Sequence, residues 1–424
     1  MGPLPVLFLI DPDDVKLVTN TYVEKPFYYN FGRIWLGEGL VTASGTVWKR
    51  NIKKLAGTFI GPIVDGYQGV FNVQAQKLLD NLKKEVGGAP FDIMQKYLAI
   101  ATLESICQTA LGFPSISNNL VTTEYYEAFT KTLELLLRRG INPIMHPDWV
   151  YKMTPAYREM VKCVAKLHNL SKTVIAKRRR EIIEMKQNGT YEKFNPENGG
   201  TKFRSFLDIL LELNEADPSM TEEQIRAEVD TIIVGGQETT ATTLMYTILA
   251  IGTYPHVQEK LYAEMQSIFG DSSRAVEKED LARMPYCEAV IYEALRLYPP
   301  VPAVMREATH DLKLKSCTIP KGTACAVNAY GAGRSRRFWG VDAPEFKPER
   351  WLNGSAVPAA TFLPFSYGKR SCIGKRYAMA LLKTLLAYCL RELVFISDMT
   401  KLRFKVDIAL KPASGHFVEV RQRQ

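Results

Sequence analysis

Apolar residues recur at helical spacing along most of the chain. The pattern predicts helices at 71–84, 93–110, 124–138 and 156–187. A new helix start follows at Thr221, where Thr221 and Gln224 fit a capping box. Periodicity then runs to Thr253, just before Tyr254-Pro255, giving a helix of about 32 residues and roughly 48 Å. A helix of that length is expected to cross the whole core. Further helices are predicted at 256–268, Pro285–Leu297 and 375–393. Strand pattern is scarcer. Residues 6–10 read as a strand, and Asp11-Pro12-Asp13-Asp14 as a turn opening a short helix. Short strands with Pro and Gly turns are expected within 303–327, and a β pair at the C-terminus. Residues 188–202, rich in Gly, Asn and Glu, read as an exposed loop and the one plausible linker, but the helices on both sides read as one continuous body. The fold class is mainly α with a small β part, with 1–424 read as one domain.

The long helix breaks local rules at its centre. Gly235-Gly236-Gln237-Glu238-Thr239-Thr240 places two glycines inside a helix, each costing about 1 kcal/mol against alanine. Such violations are expected mainly at functional sites. Glycine lets a flat group approach the backbone, and a Thr hydroxyl can bond the i−4 carbonyl or bend the helix. The competing reading is a tight helix–helix contact, and this segment alone does not separate the two.

Composition narrows the function. The net charge is 54 − 45 = +9, spread out rather than blocked, with no basic tract interleaved with aromatics. Nucleic-acid binding is therefore disfavoured, and a basic face that docks an acidic protein or membrane surface is preferred. The apolar run 6–10 stops at Asp11, and no stretch offers about 18 apolar residues without a charge, so no membrane span is predicted. Seven cysteines are too few for a disulfide scaffold and odd in number, which suggests free thiols, at least one of them functional.

One cysteine stands apart. Phe365-Ser366-Tyr367-Gly368-Lys369-Arg370-Ser371-Cys372-Ile373-Gly374 precedes the last long helix. A thiolate there would be stabilised by helix N–H groups and the positive end of the dipole. Gly368 and Gly374 would permit a sharp turn and the close approach of a large planar ligand, and Arg370 adds a fixed positive charge. A buried structural cysteine would not account for two glycines, a Phe and an Arg at this spacing.

This loop resembles the haem-binding signature of the cytochrome P450 (haem-thiolate monooxygenase) family, F-x-x-G-x-R-x-C-x-G, at every fixed position. Three other motifs are similar to the family's and occur in its order: the Gly235–Thr240 stretch, Glu293-Ala294-Leu295-Arg296, and Phe346-Lys347-Pro348-Glu349-Arg350-Trp351. The resemblance covers essentially the whole chain.

The resemblance implies that Cys372 is the axial ligand to the iron of haem b. Phe365 would pack near the sulfur, and Arg370, Arg306 and Trp48 would serve the haem propionates. Gly235 and Gly236 would line the haem. Glu293, Arg296 and Arg350 would form a buried structural triad, while Glu238 and Thr239 would be the acid–alcohol pair that delivers protons to bound dioxygen. Trp48 resembles the start of the family's W-x-x-x-R helix, but position 52 is Ile, leaving Lys53 as the candidate replacement cation. Ala303, Val304 and Ser414 are pocket candidates, with His416 nearby.

Details such as Glu228-Val229-Asp230-Thr231 are closest to the insect branch of the family-four clade. Typical members there carry a Glu at the position of Gly235, which in some esterifies the haem, so the haem here is expected to be non-covalent. The implied partners are NADPH–cytochrome P450 reductase and cytochrome b5, docking on Lys49, Arg50, Lys53, Lys54, Lys369, Lys375 and Arg376. O2 and an apolar substrate (lipid, hormone, pheromone or xenobiotic) complete the reaction. The implied location is the cytosolic face of the endoplasmic reticulum membrane, with peripheral contact. Members of the family begin with an anchor, a first helix and a first strand that this chain is expected to lack. The rival expectations are an O2-independent isomerase and a haem-binding but inactive product.

Overall fold

The computed structural model describes residues 5–112, 123–191, 203–352, 360–406 and 408–424. Its axis is the helix Glu222–Thr253, 32 residues long, whose side chains from Ile225 to Gly252 are mostly buried around the full circumference. A helix with no solvent face has to be wrapped on all sides. Ala99–Leu111, Pro155–Gln187, Pro285–Leu297 and Lys375–Glu392 all pack on it.

The predicted helices 156–187 and 256–268 each begin one residue earlier, at Pro155 and Pro255. Proline fits the first helical turn because its missing N–H would have no partner there and its φ is preset. Gln68–Lys83, Thr123–Ile141, Pro285–Leu297 and Lys375–Glu392 follow the predicted periods. The 93–110 pattern divides into a π-helical turn, Met94–Leu98, and the helix Ala99–Leu111. Phe206–Ala216 is an additional helix, capped by Ser205, whose hydroxyl accepts from Asp208 N at 3.1 Å. Most of the predicted exposed loop, 192–202, lies outside the described residues.

Only half of the expected capping box forms. Thr221 Oγ1 accepts from Gln224 N at 3.2 Å. The Gln224 amide, however, donates to Glu38 O at 2.8 Å and to Glu228 Oε1 at 3.0 Å. The buried Glu228 carboxylate needs donors and claims that side chain; it also accepts from Leu40 N at 2.9 Å and Asn51 Nδ2 at 2.7 Å.

The β part is small. Val6–Leu9 pairs in parallel with Ala324–Asn328, whose other edge pairs antiparallel with Ala303–Glu307. Leu312–Lys313 and Thr318–Ile319 form a separate ladder. The expected C-terminal pair is Phe404–Val406 with Leu410–Pro412, and Phe417–Gln422 also pairs with Leu393–Ile396 and Phe91–Asp92. One large apolar cluster runs from Trp35 to Val420, and a smaller one, including Val15, Val327 and Leu363, backs the mixed sheet.

A buried ionic hub joins these parts. Arg296 donates from Nε and Nη2 to the Glu293 carboxylate at 2.8 and 2.7 Å, with both side chains fully buried. Arg350 Nε, Trp351 Nε1 and Lys347 N each donate to the same carboxylate at 2.9 Å. The remaining Arg296 donors reach Gly333 O, Ala343 O and Glu345 O at 2.6, 2.7 and 2.9 Å.

Removing the Glu293 charge strands a buried guanidinium. Glu293→Gln is therefore expected to lower the unfolding free energy in urea by about 3–5 kcal/mol; a change under about 1 kcal/mol would mean the hub is dispensable. A second expectation concerns pH. Burial pushes the Glu228 carboxyl up to about 7 against the hydrogen bonds that pull it down. The folded chain then holds a proton that the unfolded chain releases near pH 4, so this group's contribution to stability falls as pH rises from about 4 to about 7 and is flat above. The stability of the natural chain minus that of Glu228→Gln should drop by roughly 3 kcal/mol over that window. A difference independent of pH would contradict it.

Candidate active site

The cysteine loop is built on two left-handed residues, Ser366 (φ 59°) and Gly368 (φ 73°), and is closed by Cys372 N donating to Phe365 O at 2.8 Å. A Cβ on Gly368 would lie 2.6 Å from Thr19 Oγ1 and 2.7 Å from Thr19 O. The close approach that Gly368 permits is thus to the helix Pro12–Thr21, not to a planar ligand as the sequence suggested. Gly374 caps the helix Lys375–Glu392, and a Cβ there would meet Cys372 Sγ at an ordinary 3.9 Å. Burial pushes the Cys372 thiol up, while hydrogen bonds from the Gly374 and Lys375 backbone and the Lys375 charge pull it down.

The accessible surface of Cys372 faces an internal cavity of about 910 Å³. That is near the upper end for small-molecule pockets. The central helix contributes Gly235, Glu238, Thr239 and Thr243 to its wall, and Ala303 and Val304 also line it. At Gly235 nothing lies within 4 Å of where a Cβ would sit, whereas at Gly236 a Cβ would sit 2.6 Å from Ile106. Gly235 and Gly236 both line the cavity, and Gly236 in addition lets two helices cross closely. The threonines keep the helix regular. Thr239, Thr243 and Thr247 each donate to the carbonyl four residues back, at 2.7, 2.7 and 2.8 Å. Glu238 forms an ion pair with Lys411 at 2.8 Å.

Two further expectations fail. Ser414 is exposed and accepts from Arg403 N at 3.2 Å, away from the cavity, where Ile408 and Ala409 take the wall. The turn at Gly415 carries Ser414 outward, and His416 is tied to Asp92 at 2.8 Å. Lys53 is exposed on the outer face of Gly45–Leu55, while Ile52 on the inner face lines the cavity, so Lys53 does not replace the absent arginine.

One corner of the site is cationic. Arg370 donates from Nη2 to Ala43 O at 2.6 Å and stacks 4.9 Å from the Trp48 ring, while its Nε and Nη1 are buried without a partner among the described residues. Arg306 is fully buried behind this corner; its Nη1 donates to Met305 O at 3.0 Å, and its Nε has no partner among the described residues. Mutual repulsion adds to burial in lowering Arg370 to about 10. Buried guanidinium donors beside an apolar cavity call for an anionic group. A thiol at a helix start on the same cavity suits a sulfur-loving metal. The residues present therefore fit haem b, an apolar macrocycle carrying an iron atom and two carboxylates.

The profile of the family described as Cytochrome P450 matches residues 1–417. The chain belongs to the cytochrome P450 family. It is similar to cytochrome P450 4c21 of Blattella germanica, with 33% identity over 97% of this chain and 82% of the relative. It is 32% identical to cytochrome P450 4V2 of Mus musculus, covering all of this chain and 81% of that protein. Cytochrome P450 4g15 of Drosophila melanogaster is 30% identical, over all of this chain and 85% of that protein. As a cytochrome P450, the protein is an oxidoreductase of the haem-thiolate monooxygenase type. It uses haem b held non-covalently through a cysteine thiolate, together with O2 and a redox partner.

Two lysines at the P450 site escaped the sequence reading: Lys25, which lines the cavity, and Lys411, which pairs with Glu238 of its wall. Lys25 lies in Val23-Glu24-Lys25-Pro26, and no sequence motif marks it. Nothing in the sequence pairs Lys411 with Glu238.

With no side chain at Gly235 to form an ester, acid extraction is expected to release all haem from the polypeptide. Haem retained by the chain would overturn that reading of Gly235.

Proposed function

We propose that Cys372 supplies the thiolate to haem iron in a monooxygenase that oxidises an apolar small molecule, of the lipid, hormone, pheromone or xenobiotic kind. The observation that carries this reading is the convergence on one apolar cavity of the Cys372 sulfur, the Glu238–Thr239 pair and unpartnered arginine donors. When bound, haem b supplies the oxygen chemistry, with thiolate donation favouring O–O cleavage. The chain's own groups do the rest. Leu133, Val234, Val304 and Ala409 exclude water and favour an apolar substrate. Lys411 holds the Glu238 carboxyl beside the cavity. The Thr239 hydroxyl donates to Gly235 O, so its oxygen is left to accept a hydrogen bond from a proton-bearing group in the cavity, with Glu238 as the neighbouring acid of the pair.

Electrons are proposed to come from NADPH–cytochrome P450 reductase, with cytochrome b5 as a second donor. Lys49, Arg50, Lys369, Lys375 and Arg376 are exposed on the two elements that Arg370 joins, which supports docking of an acidic surface there. Lys54 is paired with Asp217 at 2.7 Å. Among the described residues no helix is long and apolar enough to cross a membrane. Ile141, Ile144, Trp149 and Met153 are nonetheless 70–73% exposed, beside Pro143 and His146 of the cavity wall. An apolar patch of this kind supports peripheral contact with the endoplasmic reticulum membrane at its cytosolic face, and entry of substrate from lipid. The continuity of the large core supports reading 1–424 as a single catalytic domain.

The test is a reduced carbon-monoxide difference spectrum of the holoprotein. The natural chain and Thr239→Ala are expected to give a thiolate-type band and Cys372→Ser none. Thr239→Ala should lower product formed with reductase by about tenfold or more. A thiolate band surviving in Cys372→Ser would overturn the assignment.

A further inference from the structure

The cationic corner of the cavity holds one more cation than the family motifs supply. Lys25 lies in the extended segment between the helix Pro12–Thr21 and the turn Phe27–Gly32, and its side chain lines the cavity. Its ammonium stands 4.2 Å from the centre of the Tyr29 ring. Tyr29 is itself anchored, its hydroxyl accepting from Met305 N at 3.2 Å on the strand that carries Arg306. Loss of solvent, and then repulsion by Arg306 and Arg370, holds the Lys25 ammonium well below the usual lysine range. Among the described residues none of the three cations pairs with a carboxylate. The nearby Glu24 carboxylate is engaged by Gly45 N at 2.8 Å.

Three converging cations without a counter-charge make an unfavourable arrangement unless a bound group brings negative charge. Haem b brings two carboxylates to a site where position 52, the family's usual place for an arginine, is an apolar Ile. We propose that Lys25, with Arg306 and Arg370, forms the cradle for the haem propionates and takes over the part that an arginine at position 52 would play. The inference rests on the haem reading given above. It makes Lys25 a cofactor-holding residue, and it gives opposite signs to removing its charge in the apoprotein and in the holoprotein.

The test compares Lys25→Met, Lys25→Arg and Lys53→Met with the natural chain, each prepared as holoprotein and as apoprotein. Haem transfer to excess apomyoglobin should be about 10- to 100-fold faster from Lys25→Met, and near the natural rate from Lys25→Arg and Lys53→Met. The apoprotein of Lys25→Met should melt higher than that of the natural chain, because a cation repelled by Arg306 and Arg370 has gone. Reconstitution with haem dimethyl ester, which lacks the carboxylates, should abolish the difference between Lys25→Met and the natural chain. Equal transfer rates with haem b, or an equal Lys25→Met penalty with the dimethyl ester, would overturn the role of Lys25 while leaving the thiolate reading intact. Absence of a thiolate band in the natural chain would overturn both. Should Lys25→Met yield no holoprotein, Lys25→Arg and the dimethyl ester on the natural chain decide: slow transfer from both Lys25→Arg and the ester-loaded chain would contradict the proposal.

Discussion

The Glu293 carboxylate is the constraint on which the site depends. It accepts five hydrogen bonds from Arg296, Arg350, Trp351 and the Lys347 backbone while fully buried. Those donors come from the helix Pro285–Leu297 and from the segment that leads toward the cysteine loop. Arg296 also gathers three carbonyls from 333–345, a stretch with little regular structure of its own. Irregular chain can be held in place only if its polar groups are satisfied, and this one ion pair does much of that. An apolar replacement could fill the space but could not bind those carbonyls.

From that anchorage the chemistry follows by position. The loop presents Cys372 at the start of a helix, in a cavity to whose wall the central helix contributes. On that wall Gly235 leaves open space, and Glu238 and Thr239 bring a carboxyl and a hydroxyl to the same volume. Arg370 on the cavity surface and the buried Arg306 are short of acceptors among the described residues. A thiol, an acid–alcohol pair and unsatisfied guanidinium donors in one apolar enclosure make sense together as the holder of a large, partly anionic, iron-bearing ligand.

Much of this was legible in the sequence because it depends on local pattern. The central helix ends where Thr221 and Tyr254-Pro255 predict, and the cysteine loop carries its glycine at the position that needs φ 73°. What was not legible depends on tertiary placement. The Gln224 amide leaves its capping role because a buried carboxylate competes for it. Gly235 and Gly236 look equivalent in the sequence, yet one meets open space and the other meets Ile106. Lys53 and Ile52 are adjacent, and helix phase alone decides which faces the cavity. Lys25 and Lys411 reach the site from distant parts of the chain, so no spacing rule could join them to it.

The central claim is that the sulfur of Cys372 is bonded to haem iron in this cavity. Resonance Raman spectroscopy of the ferric holoprotein, produced with natural and with heavy-isotope sulfur in cysteine, reads that bond directly. An iron–sulfur stretching band that moves to lower frequency with the heavy isotope, and is missing from Cys372→Ser, is the predicted result. A haem protein with no isotope-sensitive band, or with one that persists in Cys372→Ser, would contradict the account.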